Sequence, residues 1–325
     1  MDFDPNNSAP ENSGLFALPF SVDEARIVIV PAPWDATSSQ ERTSSGAPAA
    51  VFAASKYVEL YDPIYGAFYR HKIAADAIDA EISELNRTAI KMQGRAGLCN
   101  AELAAPCERL NQIVFARVAG HMHAGKSVGL LGGDHSVSFG AIQAQLQKYP
   151  DMGILQIDAH CDLRSAFDGI RYSHASIMYN VLECLGLKRL VQVGVRGLCD
   201  FEAQYVETSP RVVTFFDADL YGKRADGVTW STICGQIVDE LPECVYISLD
   251  IDGLAPAWCP HTGTPVPGGL SYNDAVYLLQ AVKRSGRRIV GFDLVEVGND
   301  SFDAAVAAHL LYQLCALLPD ARTDS

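Results

Sequence analysis

Paired cysteines, long apolar runs and clusters of basic residues are all missing from this chain. Its nine cysteines (Cys99, Cys107, Cys161, Cys184, Cys199, Cys234, Cys244, Cys259 and Cys315) are scattered, odd in number and never spaced as C-x-x-C. Disulfide frameworks belong to short secreted chains, so in 325 residues this pattern predicts reduced, mostly buried thiols and a cytoplasmic location. Residues 1–20 hold no basic start followed by an apolar run, and no secretory signal is expected. No stretch approaches the roughly 18 uninterrupted apolar residues of a membrane span. The net charge of −14 and the sequence pI of about 4.9, with no Lys/Arg stripe, argue against a nucleic-acid partner. An acidic surface instead favours encounter with small cations. No internal repeat, low-complexity tract or linker divides the chain.

What is present is ordinary globular material, 49% hydrophobic and 20% charged. Residues 1–14 are polar and read as a loose arm, with the arm placed over residues 1–20 and one domain over residues 21–325. Apolar runs suited to strands buried on both faces occur at Arg26–Val30, Val128–Leu131, Gly153–Ile157, Leu190–Val193, Val212–Phe216, Cys244–Leu249 and Arg288–Phe292. Segments of helical period lie at Glu108–Ala124, Ser138–Lys148, Ala175–Leu185, Thr232–Leu241, Tyr272–Arg284 and Phe302–Leu317, and Ser271 with Asp274 makes a capping-box start for the fifth. The alternation predicts an α/β fold with a mostly parallel sheet and helices on both faces. Residues 35–100 are least readable; the polar turns at Thr37–Gly46 and the acidic stretch at Asp76–Glu84 suggest excursions around a site.

Ligands of open parallel sheets bind beyond the carboxyl ends of the strands, and acids and histidines gather there. Val128–Leu131 runs into Gly132-Gly133-Asp134-His135-Ser136, whose glycines would let the chain turn sharply and aim His135 into a cleft. Alone, this stretch equally suits a structural histidine. Gly153–Ile157 runs into Asp158-Ala159-His160-Cys161-Asp162, three metal-ligand types at i, i+2 and i+4 that share a face if extended, with Cys161 turned away. Burying three such groups unpaired is expensive, which favours a metal. Cys244–Leu249 runs into Asp250-Ile251-Asp252, a spacing also common in turns. It is followed by Gly253-Leu254-Ala255-Pro256 and Gly263-Thr264-Pro265-Val266-Pro267-Gly268-Gly269, a stiff loop of the kind that covers sites. Four carboxylates and two imidazoles balance two divalent ions, and an oxygen-rich set without cysteine favours Mn²⁺ over Zn²⁺. Two adjacent ions can share a water and lower its pKa.

Gly132–Ser136, Asp158–Asp162 and Ser248–Gly269 resemble the three signature regions of the arginase/agmatinase (ureohydrolase) family, in the same order and over roughly residues 26–317. The resemblance implies a parallel sheet of about eight strands between helices. It implies a di-manganese centre held by His135, Asp158, His160, Asp162, Asp250 and Asp252, with Asp162 also accepting a hydrogen bond from the nucleophile. Tyr172-Ser173-His174 looks like the segment of the family's proton-shuttling histidine, and Phe292–Val297 like the strand end with its guanidinium-binding glutamate, Glu296. Without the resemblance, His174 reads as a helix-start histidine and Glu296 as a surface acid. A carboxylate can hold a planar guanidinium bidentately, and a histidine has the intrinsic pKa to carry a proton to a leaving amine. The implied assembly is a homo-oligomer, trimer or hexamer. The chain departs from the family at Ala255, usually an acid, and at His261, usually a small residue. Both lie in the loop near the site and bear on substrate rather than on metal.

Residues 162–171 differ from the Asn/Thr/Ser-rich segment with which arginases hold an amino-acid head group, and are closer to the agmatinase branch. The expected reaction is therefore agmatine to putrescine and urea, with arginine, guanidinobutyrate and guanidinopropionate as alternatives. Arg164 or Arg171 can hold a carboxylate tail, or simply pair with Asp168 and Asp162. Two competing classes remain: a single-zinc amide hydrolase, which needs only about three protein ligands, and a catalytically silent, metal-binding regulatory subunit, which typically lacks ligands this chain retains.

Overall fold

The computed structural model describes residues 3–5, 13–39, 42–93 and 100–319. Its eight strands are β1 (Ile27–Ala32), β2 (Ile73–Ala75), β3 (Ser127–Gly132), β4 (Gly153–Ile157), β5 (Leu190–Val195), β6 (Val212–Phe216), β7 (Cys244–Asp250) and β8 (Arg288–Val295). They form one sheet in the order β2-β1-β3-β8-β7-β4-β5-β6, and every pairing is parallel. The strands are mostly apolar because both faces are covered. Ile27 and Ile29 enter one core cluster while Val30 enters another, and Leu131 and Leu130 divide in the same way. Helices Ala47–Ser55, Trp230–Asp239, Tyr272–Arg284 and Ser301–Leu317 supply the first cluster. Helices Ala80–Gln93, Ala104–His123, Ser138–Lys148 and Ile177–Cys184 supply those of the opposite face. No helix among the described residues is long and apolar enough to cross a membrane.

Seven strands stand where the apolar runs predict them. The unread one, β2, has three residues on the sheet edge, too short to show a period. Helices Ala47–Ser55 and Ala80–Gln93 emerge from the stretch that was hardest to read, and Asp200–Thr208 and Asp217–Ala225 are also unforeseen. The expected arm is shorter than residues 1–20. Leu15–Ala17 form a 3₁₀ turn, and Leu15, Phe16 and Leu18 are buried. The Phe16 amide donates to Ser55 Oγ at 3.0 Å, and its ring meets that of Tyr312 edge-on at 4.8 Å. The rest of the arm falls mostly outside the described residues. The eight described cysteines are free, and five of them are buried; Cys99 lies outside the described residues.

Candidate active site

The four central strands, β3, β8, β7 and β4, deliver all the expected residues from their carboxyl ends. After β3, Asp134 accepts from the Ser136 amide at 3.1 Å and caps a 3₁₀ turn, His135–Val137, that carries His135. The glycines here serve close approach rather than a sharp turn. Neither has a positive φ, and a Cβ on Gly133 would lie 1.8 Å from the carbonyl oxygen of Trp34. Gly133→Ala must push two backbones apart, and is expected to destabilise by about 1–3 kcal/mol or more. Thermal denaturation checks this, and an unchanged melting temperature would contradict it.

After β4 the chain does not continue as a strand. Asp158 Oδ1 accepts from the His160 amide at 2.6 Å, and Asp162 adopts φ 54°. Strand alternation is therefore not what brings Asp158, His160 and Asp162 together; a turn is. Cys161 is fully buried in an apolar cluster, where it packs as expected. At the end of β7, Asp250 Oδ1 accepts from the Asp252 amide at 2.9 Å. Asp252 sits in the 3₁₀ turn Ile251–Gly253 and accepts from the Ala159 amide at 3.0 Å, which locks the β7 end to the β4 end. Beyond β8, Glu296 adopts φ 60°. Its amide donates to the Gly133 carbonyl at 2.8 Å, and its Oε1 accepts from the His135 amide at 2.8 Å.

These contacts converge on two groups whose nitrogen and oxygen atoms lie within 4.8 Å of one another: His135, Asp158 and Asp250, and Asp158, His160 and Asp252. His135 Nδ1 is 3.2 Å from Asp158, 2.9 Å from Asp162 and 3.5 Å from Asp250. His160 Nδ1 is 3.1 Å from Asp252 and 3.7 Å from Asp158. Asp158 thus belongs to both groups. His135 Nδ1 is buried and makes no hydrogen bond, although carboxylate oxygens surround it. Its other nitrogen, Nε2, lies 2.8 Å from Ser248 Oγ, which donates to Asp293 at 2.9 Å. An imidazole fixed on one side with its second nitrogen aimed at carboxylates suits a cation between them. Burial, and then the neighbouring Asp158 charge, pushes the Asp162 carboxyl up to about 7. Burial and the Asp252 and Asp158 charges raise Asp250 well above the usual range. Crowded acids of this kind call for positive charge.

A cavity of about 260 Å³ opens onto these groups. Asp162, His160, Asp250, His174, Glu296 and Thr264 line it, as do Arg164, Phe167, Glu202 and Ser39. His174 heads a 3₁₀ turn, and its ring meets Phe167 edge-on at 5.6 Å. Burial lowers its pKa to about 4, so it is neutral at neutral pH. Arg164 has an acidic neighbour that the sequence did not suggest. Its Nε is 3.7 Å from buried Glu202, and its guanidinium stacks over Phe167 at 5.1 Å. Arg171 lies off the cavity, bonded to Cys184 and stacked on Tyr172. His261 binds Asp303 through its amide at 2.9 Å and its ring at 3.2 Å, pinning the loop to helix Ser301–Leu317. The polar turns from Thr37, the segment after Asp162 and the loop from Gly263 bring Ser39, Phe167 and Thr264 to the cavity, whereas Glu202 was not foreseen, since an isolated acid carries no pattern. A larger groove of about 700 Å³, beside helix Asp217–Ala225, lies apart from both groups.

The sequence model of the Arginase family matches residues 25–317. The chain belongs to the arginase family. Over 297 residues it is 33% identical to N(1)-aminopropylagmatine ureohydrolase of Thermus thermophilus, covering 91% of each protein. The crystal structure of agmatine ureohydrolase of Thermoplasma volcanium superposes with a TM-score of 0.72 at 26% identity, over 94% of both chains. Proclavaminate amidinohydrolase of Streptomyces clavuligerus gives 0.74 at 21% identity, over 97% of this chain and 99% of that one, a likeness of fold. As a member of this family of binuclear metal-dependent enzymes, the chain is a ureohydrolase, acting on the carbon–nitrogen bonds of linear amidines.

Proposed function

We propose that the protein is a binuclear manganese amidinohydrolase that converts agmatine to putrescine and urea. The observation that carries this reading is the pair of acid–imidazole groups sharing Asp158 at the floor of a cavity whose wall holds Glu296 and His174. His135, Asp158, His160, Asp162, Asp250 and Asp252 would hold the two ions. When bound, the ions supply the Lewis acidity that makes water a competent nucleophile at neutral pH.

The remaining roles follow from the side chains. Four aspartates offset the charge of two divalent ions, and beyond them Glu296 and Glu202 stand against Arg164 alone, leaving the cavity one charge negative. A cationic guanidine with a cationic tail suits that balance. Glu296 Oε1 is held by the His135 amide, so its carboxylate has a fixed orientation from which to grip a guanidinium. Asp162 accepts a hydrogen bond from the attacking water. Water adds to the central carbon, the bond to the alkyl-bearing nitrogen breaks, and that nitrogen leaves as an amine once protonated. His174, neutral and facing the cavity, takes a proton released by the attacking water and passes it to that nitrogen. We further propose a cytoplasmic homo-oligomer, trimer or hexamer, with no nucleic-acid or membrane partner.

Arg164 in the cavity wall favours a second reading, a guanidino acid whose carboxylate it would bind. Urea release by the Mn²⁺-loaded protein should be measured with agmatine, N(1)-aminopropylagmatine, arginine, guanidinobutyrate, guanidinopropionate and guanidine. Agmatine is expected to react fastest, and Asp158→Ala and Glu296→Ala to abolish the reaction. Preference for either guanidino acid would transfer the assignment to the second reading. No urea from any compound, with two ions bound, would favour a silent regulatory subunit.

A further inference from the structure

One hydroxyl joins the two halves of the proposed site. Thr37, on the loop after β1, is buried. Its Oγ1 donates to Asp134 Oδ2 at 2.8 Å and accepts from the His174 amide at 3.0 Å. Its own amide donates to the same Asp134 oxygen at 3.0 Å. Asp134 is fully buried and, through Oδ1, caps the turn that carries His135. The chain of contacts therefore runs from the His135 turn, through Asp134 and Thr37, to the first residue of the turn that presents His174. A hydroxyl is suited to this because it donates once and still accepts.

The loop holding Thr37 is itself fixed. Asp35 exchanges two hydrogen bonds with Asn86, its amide donating to Asn86 Oδ1 and its Oδ1 accepting from Asn86 Nδ2, both at 2.9 Å. Asp35 Oδ2 accepts from the Ser45 amide at 3.1 Å. Thr37 does not face the cavity; Ser39, two residues on, does.

We infer that Thr37 is a positioning residue that sets where His174 stands relative to the residues proposed to hold the metals. The inference rests on the proposed role of His174. Misplacing a proton-carrying group by about 1 Å can slow a reaction by about 100-fold. Thr37→Val keeps the side-chain shape and removes the hydroxyl. Its kcat is expected to fall about 10- to 100-fold, with KM and two bound ions retained, and Thr37→Ser to restore most of the rate. On a His174→Ala background, Thr37→Val should cause no further loss, because the residue it positions is gone.

Circular dichroism and metal content at the assay temperature identify a variant that has merely unfolded; for such a variant, Thr37→Ala and the Thr37→Ser rescue take over the test. A kcat for folded Thr37→Val within twofold of the wild type would overturn the inference. So would an equal loss in the presence and absence of His174, which would trace the effect to the metal ligands or the fold. Full activity in His174→Ala would instead overturn the proposed role of His174, and the two failures are thus told apart.

Discussion

Loading the chelated protein with Mn²⁺ is expected to raise its melting temperature by on the order of 10 °C, and by more at pH 8 than at pH 5. A ligand at a thousandfold excess over its Kd stabilises by about 4 kcal/mol, which in a domain of this size is several degrees per ion. The pH dependence follows from the groups at the site. Burial, and then the Asp158 charge, raises Asp162 to about 7, and Asp250 and Glu296 are raised by burial and by nearby acids. Such carboxyls hold more protons folded than unfolded from about pH 4 upward, so without metal they contribute less stability as pH rises. The imidazoles act in the same direction. Burial alone would lower both, but Asp158 and Asp252 override it at His160 and push it up to about 12, and Asp158, Asp162 and Asp250 override it at His135 and raise it well above its usual value. Their contribution is complete below about pH 6.5 and declines as the pH climbs towards the folded values. Metal binding must displace these same protons, so it strengthens with pH. The gap between loaded and chelated protein therefore widens from pH 5 to pH 8. Differential scanning fluorimetry across that range measures it; an increment that is absent, or that shrinks with pH, would count against a metal between these residues.

Asp158→Ala is expected to lower kcat/KM by more than about 10⁴-fold, because the rate enhancement is asked of both ions. Asp158 is the one side chain common to both groups, with its Oδ2 near His135 and its Oδ1 near His160. Gln156 also donates to Oδ2 at 2.7 Å, so the carboxylate is oriented from the strand beneath it. His160→Ala removes a member of one group only. The first variant should lose both ions and the second should keep one. Elemental analysis after gel filtration, alongside urea release, separates them; two ions retained in Asp158→Ala would show that the shared carboxylate does not hold the pair.

The strands were legible because a sheet covered on both faces favours apolar residues at most positions, and runs such as Gly153–Ile157, apolar but for Gln156, show it. Helix Tyr272–Arg284 begins at its Ser271 cap, and Ser138–Lys148 spans the residues its periodicity marks. Helix Ala47–Ser55 was not legible. It is apolar on nearly every side and is held by packing against Ser301–Leu317, so it shows no amphipathic stripe. The clustering of acids and histidines at strand ends was readable as a list, but its stated geometry was not. The left-handed φ of Asp162 and the self-capping turn of Asp250 and Asp252 depend on neighbouring strands that a local pattern does not describe.

The sequence by itself determined the parallel α/β sheet, the six residues with metal-ligand chemistry and the family resemblance, because each is written in local runs or short motifs. Only the tertiary structure decided that Asp158 stands between two groups, that Arg164 turns to Glu202, and that Thr37 joins the His135 turn to the His174 turn. The physical reason is distance along the chain. Thr37 meets Asp134 across 97 residues and His174 across 137, and contacts at such separations are fixed by the order of strands in the sheet, not by the residues beside them.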